Sequence, residues 1–167
     1  AAFGTSCETA AEITSKVRKA TSKPLIVKLS PNVTSITDIA KSVEAAGADA
    51  VSLINTLLGM RIDVNTGRPI LKNNVGGLSG PAVFPVAVRM VWQVANAVNI
   101  PVIGMGGISS GRDAIEMMMA GASAVQVGAA IITNPFAPIN IIDEMNEFLD
   151  ENKIKSVSEI IGTVQPW

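Results

Sequence analysis

Lys28 lies inside a short apolar run, Pro24-Leu25-Ile26-Val27-Lys28-Leu29-Ser30, where an ammonium group needs a partner or a purpose. In a strand it shares a face with Ile26 and Ser30. Facing inward, it would stabilise negative charge developing on a bound cofactor or, with a depressed pKa, form a Schiff base; facing outward, it would snorkel to solvent. Asn55 and Thr56 end the next apolar run with neutral donors and acceptors. They suit a planar ligand carrying C=O and N–H groups, or else a simple strand-closing turn. Gly106-Gly107 ends the run Ile100 to Met105, and Gly128 ends Ala124 to Val127. If those runs are parallel strands, both turns fall at the carboxyl edge of one sheet, where backbone N–H groups approach an anion closely. The spacing therefore predicts a phosphate-holding edge, with two ligand-free tight turns as the alternative. Cys7 sits near a helix start, which would favour its thiolate or make it a plain cap neighbour. Met117-Met118-Met119 reads as the core and flank of a helix.

The composition excludes several classes of function. Thirteen basic and fourteen acidic residues are scattered along 167 positions, so there is no electrostatic footprint for nucleic acid or an anionic membrane. No apolar run approaches the roughly 20 residues of a membrane span, and the first residues lack the order of a secretory signal. One cysteine allows no internal disulfide, and together these points favour the cytoplasm. With no histidine, a Ser-His-Asp or Cys-His arrangement and a histidine-held metal are impossible within the chain.

These residues need elements to position them. Thr5 with Glu8 fits a capping box, opening a helix to Thr21 with Ala10, Ile13, Val17 and Ala20 on its apolar face. Ala1 to Gly4 look like the end of a loop, which suggests that something precedes them. Strands are expected over 25–29, 50–55, 101–105 and 124–128, with helices over 37–46, from Pro81 to about 98, over 111–121 and from Asn134 through Ile139, Ile142, Met145, Phe148 and Leu149. A short helix is expected over 156–161. The connection 57–80 is long enough for a lid or binding loop and carries a hairpin tip at 65–69. The result is one α/β domain over 1–167, four parallel βα units preceded by one helix. Four units cannot close an eight-stranded (β/α)8 barrel, so either two chains complete one or this is the carboxyl half of a longer protein.

Four stretches carry a resemblance: Val27-Lys28-Leu29-Ser30-Pro31-Asn32-Val33, Ile54 to Asp63, Gly76-Gly77-Leu78-Ser79-Gly80-Pro81 and Ile103-Gly104-Met105-Gly106-Gly107-Ile108. In order and spacing they are similar to the carboxyl-terminal half of the class 1B, NAD-linked dihydroorotate dehydrogenases. The resemblance covers almost the whole chain and implies the C-terminal half of a (β/α)8 TIM barrel. It implies FMN as cofactor, with Lys28 against the isoalloxazine, Ile54 as a further flavin contact, and Gly80, Gly106, Gly107, Gly128 and Ala129 around the phosphate. Asn55 and Thr56 would bind dihydroorotate. The family usually has threonine where Ala129 stands, so one side-chain phosphate contact is missing while the backbone contacts remain.

The resemblance also implies that the catalytic base is a cysteine upstream of residue 1, that Cys7 does not replace it, and that this chain alone holds no catalytic residue and no metal ligand. In the intact enzyme the base takes a proton from C5 of dihydroorotate while hydride passes from C6 to flavin N5. Electrons reach NAD through a partner subunit carrying FAD and an iron–sulfur cluster, with the catalytic subunits paired in a heterotetramer. Two other readings stand beside this one: a phosphate-binding lyase or isomerase barrel in which Lys28 forms an imine, and a non-catalytic half-barrel whose sheet edges pair with another chain.

Overall fold

The computed structural model describes residues 3–167. Of the expected loop end, Ala1 and Ala2 lie outside the described residues, and Phe3–Thr5 forms a 3₁₀ turn. That turn shifts the helix start by one residue. The N-cap of α1 (Cys7–Ala20) is Ser6, whose dihedrals are extended, and its Oγ accepts the Thr9 N–H at 3.3 Å. Thr5 belongs to the turn instead. Ile13 and Val17, expected against the core, are 38% and 39% exposed. The buried residues of α1 are Ala10 and Thr14, because the helix packs chiefly against α2 (Ile36–Ala45) and that contact follows a narrower stripe. Thr14 satisfies its buried hydroxyl by donating to the Ala10 carbonyl at 2.7 Å.

β1 (Ile26–Lys28) and β2 (Ala50–Leu53) flank α2, and both are shorter than the expected runs. The turn into β1 is locked by Asp49, whose Oδ2 receives the Leu25 N–H and an Arg18 guanidinium N–H, each at 2.7 Å. Those two donors, Leu25 first, hold the Asp49 carboxyl below the usual aspartate range. The long connection is two nested antiparallel hairpins. β3 (Leu57–Gly59) pairs with β6 (Gly76–Leu78), and between them β4 (Ile62–Asp63) pairs with β5 (Arg68–Pro69). The inner turn occupies 64–67, closed by the Gly67 N–H on the Asp63 carbonyl at 2.8 Å. Arg68 and Pro69, expected in the tip, are the return strand.

Pro81–Val83 forms a 3₁₀ turn, and α3 (Phe84–Ala95) begins only at Phe84, with Pro85 in its first turn, where a missing N–H costs nothing. β7 (Val102–Met105), α4 (Gly111–Met119) and β8 (Ala124–Gln126) follow. The fourth strand is followed by two helices rather than one, the five-residue α5 (Ala129–Thr133) and then α6 (Ala137–Glu151). Asn134 separates them: it leaves helical dihedrals and its Oδ1 accepts the Phe136 N–H at 3.0 Å. The last expected helix is a 3₁₀ turn, Val157–Glu159.

The four long-separated strands form one parallel sheet in the order β1-β2-β7-β8, with Lys28, Ser52, Ile103 and Ala124 in register across it. One face is covered by helices, and Val51 and Leu53 from the sheet are fully buried with Val43, Val91, Val94 and Met117 from α2, α3 and α4. Near-complete removal of such side chains from water is the main stabilising term, worth about 1.5–3 kcal/mol each. Ile26 and Lys28 point away from that core and are exposed. In α6 the buried residues are Ala137, Ile141 and Leu149, whereas Ile139 and Ile142 are each 57% exposed. The periodicity puts Ile139, Ile142 and Leu149 on the apolar stripe, but only the part of the helix facing α4 finds a covering element, and that part includes Ile141, which the stripe left out.

Candidate functional site

At the carboxyl ends of the four strands lies a cleft of about 590 Å³. Lys28, Ile54, Asn55 and Thr56 line it from the β1 and β2 side, and Gly80, Gly106, Gly107, Gly128 and Ala129 from the α3, β7 and β8 side. All nine residues singled out from the sequence therefore share one cavity, although they come from five separate segments. Cys7, at the first turn of α1, is not among them.

Backbone hydrogen bonds carry the sheet beyond its formal strands and fix the cleft wall. Leu29 N–H donates to the Ser52 carbonyl at 2.8 Å, Asn55 N–H to the Leu29 carbonyl at 3.0 Å, and Ile54 N–H to the Met105 carbonyl at 2.8 Å. Asn55 Oδ1 accepts the Thr56 N–H at 2.9 Å, which turns the chain into β3. Asn32, legible in sequence only as part of an exit loop, anchors that turn. Its Nδ2 donates to the Thr56 carbonyl at 3.0 Å while its Oδ1 accepts the Leu58 N–H at 2.9 Å. Lys28 takes no part in either ion pair found among the described residues, so its positive charge is uncompensated by protein.

The glycine edge has specific stereochemical reasons. Gly107 has φ +80°, and a Cβ there would stand 2.7 Å from the Gly80 carbonyl oxygen and 2.9 Å from the Phe84 nitrogen. Nothing but glycine fits between those two backbone segments. Around Gly80 and Gly128, in contrast, nothing lies within 4 Å of the Cβ position, so the backbone there is open. Gly128 and Ala129 begin α5, whose first N–H groups have no partner inside the helix. The result is a cradle of accessible backbone that fits a phosphate or comparable anion.

A second cavity of about 470 Å³ shares Gly80, Gly107 and Ala129 with the cleft and is bounded beyond them by Ser109, Asn134, Asn140 and Glu144. Its one carboxylate, Glu144, is already committed to the start of α4, as is Asp113, which lies within that start and outside the cavity lining. Glu144 Oε2 accepts the Gly111 N–H, and Asp113 Oδ2 accepts the Ser109 N–H at 2.8 Å, the Ser109 hydroxyl at 2.9 Å and the Ser110 N–H at 2.9 Å. Partial burial works to raise the Asp113 carboxyl, but the serine donors outweigh it and hold it below the usual aspartate value. The α4 N-terminus thus has its acceptors supplied from within the protein.

The cleft is lined, among the described residues, by one cation and several neutral donors and acceptors, with no carboxylate, thiol or imidazole. Among the described residues no cluster of three metal-ligating side chains occurs. It can bind a polar planar ligand and stabilise negative charge, but it supplies no proton acceptor from its lining. Sequence reasoning passed over Ser79, Met105, Gln126 and Ile132, which also line the cavity. Strand alternation beyond Met105 and Gln126 was the available signal for two of them.

Residues 1–149 match the family model described as dihydroorotate dehydrogenase. A Bacteroides thetaiotaomicron protein named dihydroorotate dehydrogenase B (NAD(+)), catalytic subunit, is 57% identical over 164 residues, which is 98% of this chain and 54% of the relative. Proteins of the same name from Desulforamulus reducens and a Geobacillus species are 57% and 56% identical, each over 161 residues. Those alignments cover 96% of this chain and 53% and 51% of the relatives. The chain spans about half the length of the curated relatives it matches. No helix of the described residues is long and apolar enough to cross a membrane. The family match runs through every strand end that lines the cleft, and the chain belongs to the dihydroorotate dehydrogenase family.

Proposed function

We propose that the cleft holds FMN and that the protein, of which this chain forms the carboxyl half of a (β/α)8 barrel, oxidises dihydroorotate to orotate in pyrimidine synthesis. The observation that carries this reading is the convergence of an unpaired lysine, an Asn-Thr pair and an open glycine cradle on a single cavity. FMN supplies the hydride acceptor, which no amino-acid side chain can be. Lys28 sets a fixed positive charge beside the ring and stabilises the negative charge that two-electron reduction leaves there. The N–H groups of Gly80, Gly106, Gly107, Gly128 and Ala129 hold the phosphate, Ala129 contributing backbone alone. Ile54, buried beneath the cleft, gives the ring an apolar contact. Asn55 and Thr56 orient the substrate ring and carboxylate so that the carbon that loses hydride faces the cofactor.

The proton leaving the substrate goes to the cysteine that the family resemblance implies upstream of residue 1, in keeping with a cleft lining that, among the described residues, offers no carboxylate, thiol or imidazole. The relatives' name specifies a catalytic subunit and NAD(+), which supports a separate electron-transfer subunit as the route to NAD; that this subunit carries FAD and an iron–sulfur cluster is what the family resemblance implies. Catalytic subunits paired within a heterotetramer, working in the cytoplasm, complete the reading. The test is to purify the full-length protein. A yellow preparation that releases FMN on denaturation and bleaches anaerobically with dihydroorotate is expected. A colourless protein that refuses FMN would sink the proposal, and borohydride trapping of a carbonyl substrate on Lys28 would replace it with an imine-forming barrel.

A further inference from the structure

Gln126 is a polar side chain in the cleft that the reading above leaves without a role. It is the last residue of β8, and its neighbours Val125 and Val127 both pack against the main core. Alternation therefore turns Gln126 to the opposite face, where it is exposed and lines the cleft. Its register partner is Met105 on β7, and the Met105 carbonyl accepts the Ile54 N–H. Ile54, Met105 and Gln126 thus stand side by side at one level, with Lys28 at the outer strand on the other side. The floor of the cleft has an apolar middle and two polar ends of different character, a cation at β1 and a neutral carboxamide at β8.

That carboxamide has no hydrogen-bond partner among the described residues, although glutamine brings two donors and an acceptor. A planar heteroaromatic ring laid on Ile54 and Met105 would cover it, and a covered amide without partners is costly. We propose that Gln126 is a second ring-binding residue, hydrogen-bonding the polar rim of the cofactor's ring across the apolar floor from Lys28. The inference rests on the reading of the cleft as an FMN site. It assigns the two ends different work: Lys28 favours the charge of the reduced ring, whereas Gln126, being neutral, sets affinity and orientation in both oxidation states.

The test uses the full-length protein stripped of cofactor and titrated with FMN, reading the dissociation constant by flavin fluorescence, the visible absorption band and the midpoint potential. Gln126→Leu keeps the size and removes the amide; FMN should bind roughly tenfold more weakly, with a shifted band. Gln126→Glu is nearly isosteric and should lower the midpoint potential at neutral pH by placing a negative charge near the ring. Wild-type affinity, band and potential in both variants would overturn the proposal. So would a lower thermal midpoint of the apoprotein with unchanged flavin properties, since the amide would then be bonded to protein. If the wild type itself takes no FMN, the reading of the cleft fails and this assignment with it.

Discussion

Asn32 holds Thr56 by its backbone: the Asn32 Nδ2 donates to the Thr56 carbonyl at 3.0 Å, and the same side chain receives the Leu58 N–H through Oδ1 at 2.9 Å. Two residues 24 apart in sequence are thereby fixed together at one side of the cleft, which Thr56 lines. Removing the amide frees the turn that presents Asn55 and Thr56. Asn32→Ala should cost about 1 kcal/mol of stability and, in the full-length protein, raise KM for dihydroorotate several-fold more than it lowers kcat. Asn32→Asp keeps the acceptor for Leu58 and loses the donor to Thr56, so it should match the alanine variant in KM. Steady-state kinetics of the two variants check this, and an unchanged KM in both would refute the anchor.

Gly107 and Gly128 both border the cleft but answer differently to a methyl group. At Gly107 the backbone is left-handed and the added carbon meets the Gly80 carbonyl and the Phe84 nitrogen. Gly107→Ala should lose about 2 kcal/mol or more from strain and displacement together, and its cofactor as well. Gly128 has φ −116° and open space around it, so Gly128→Ala should keep its thermal midpoint and lose only FMN affinity. Thermal melts beside FMN stoichiometry separate the two effects. Equal stability of both variants would contradict the packing described.

The elements were legible where the signal is local. Glycines after apolar runs, helical periodicity between them and the Asn-x-Gly turn at 65–67 each carry their own chemistry within a few residues. Lys28, Asn55 and Thr56 stood out because polar groups in or beside apolar runs demand a reason. Ile54, Gly80 and Ala129 carry no such mark and were reached only through resemblance to a family. What periodicity cannot supply is the neighbour. Ile13, Val17, Ile139 and Ile142 lie on apolar stripes, yet their exposure depends on which helix stands opposite. Asn32 was missed for a related reason, since its partners Thr56 and Leu58 are residues that only folding brings near; α5, five residues long, is too short to show a period.

Asp113 gives the protein an acid-sensitive joint. Its carboxylate gathers the Ser109 and Ser110 donors while its own N–H donates to Ser110 Oγ at 3.2 Å, a reciprocal cap on α4. The folded carboxyl sits below the ordinary value of 3.8, so folding favours the ionised form. Its contribution is complete above that ordinary value and disappears as pH falls through the lower, folded one. Urea titrations between about pH 5 and pH 2 should show stability falling with pH, and Asp113→Asn should flatten part of that slope. Ser110→Ala removes the other half of the cap and should cost about 1 kcal/mol at every pH. An Asp113→Asn profile parallel to the wild type would show that the carboxylate carries no linkage.

Ile160 closes the far end of the same helix. It is 4% exposed in a small cluster with Ile115 and Met118, and just beyond it the Gly162 and Val164 N–H groups donate to the Met118 and Met119 carbonyls at 3.0 and 3.2 Å. The carboxyl tail therefore satisfies the last carbonyls of α4, groups that a helix cannot satisfy itself. Ile160→Ala opens a cavity in that cluster and should cost about 2–4 kcal/mol, whereas Trp167→Ala, at a fully exposed terminal residue, should change nothing measurable. Neither residue lines the cleft, so FMN affinity and absorption should be unaltered in both folded variants. Denaturant midpoints measured beside FMN titrations distinguish this from a tail that acts on the site. Loss of FMN from a still-folded Ile160→Ala protein would mean that α4 transmits the change to the glycine cradle at its other end.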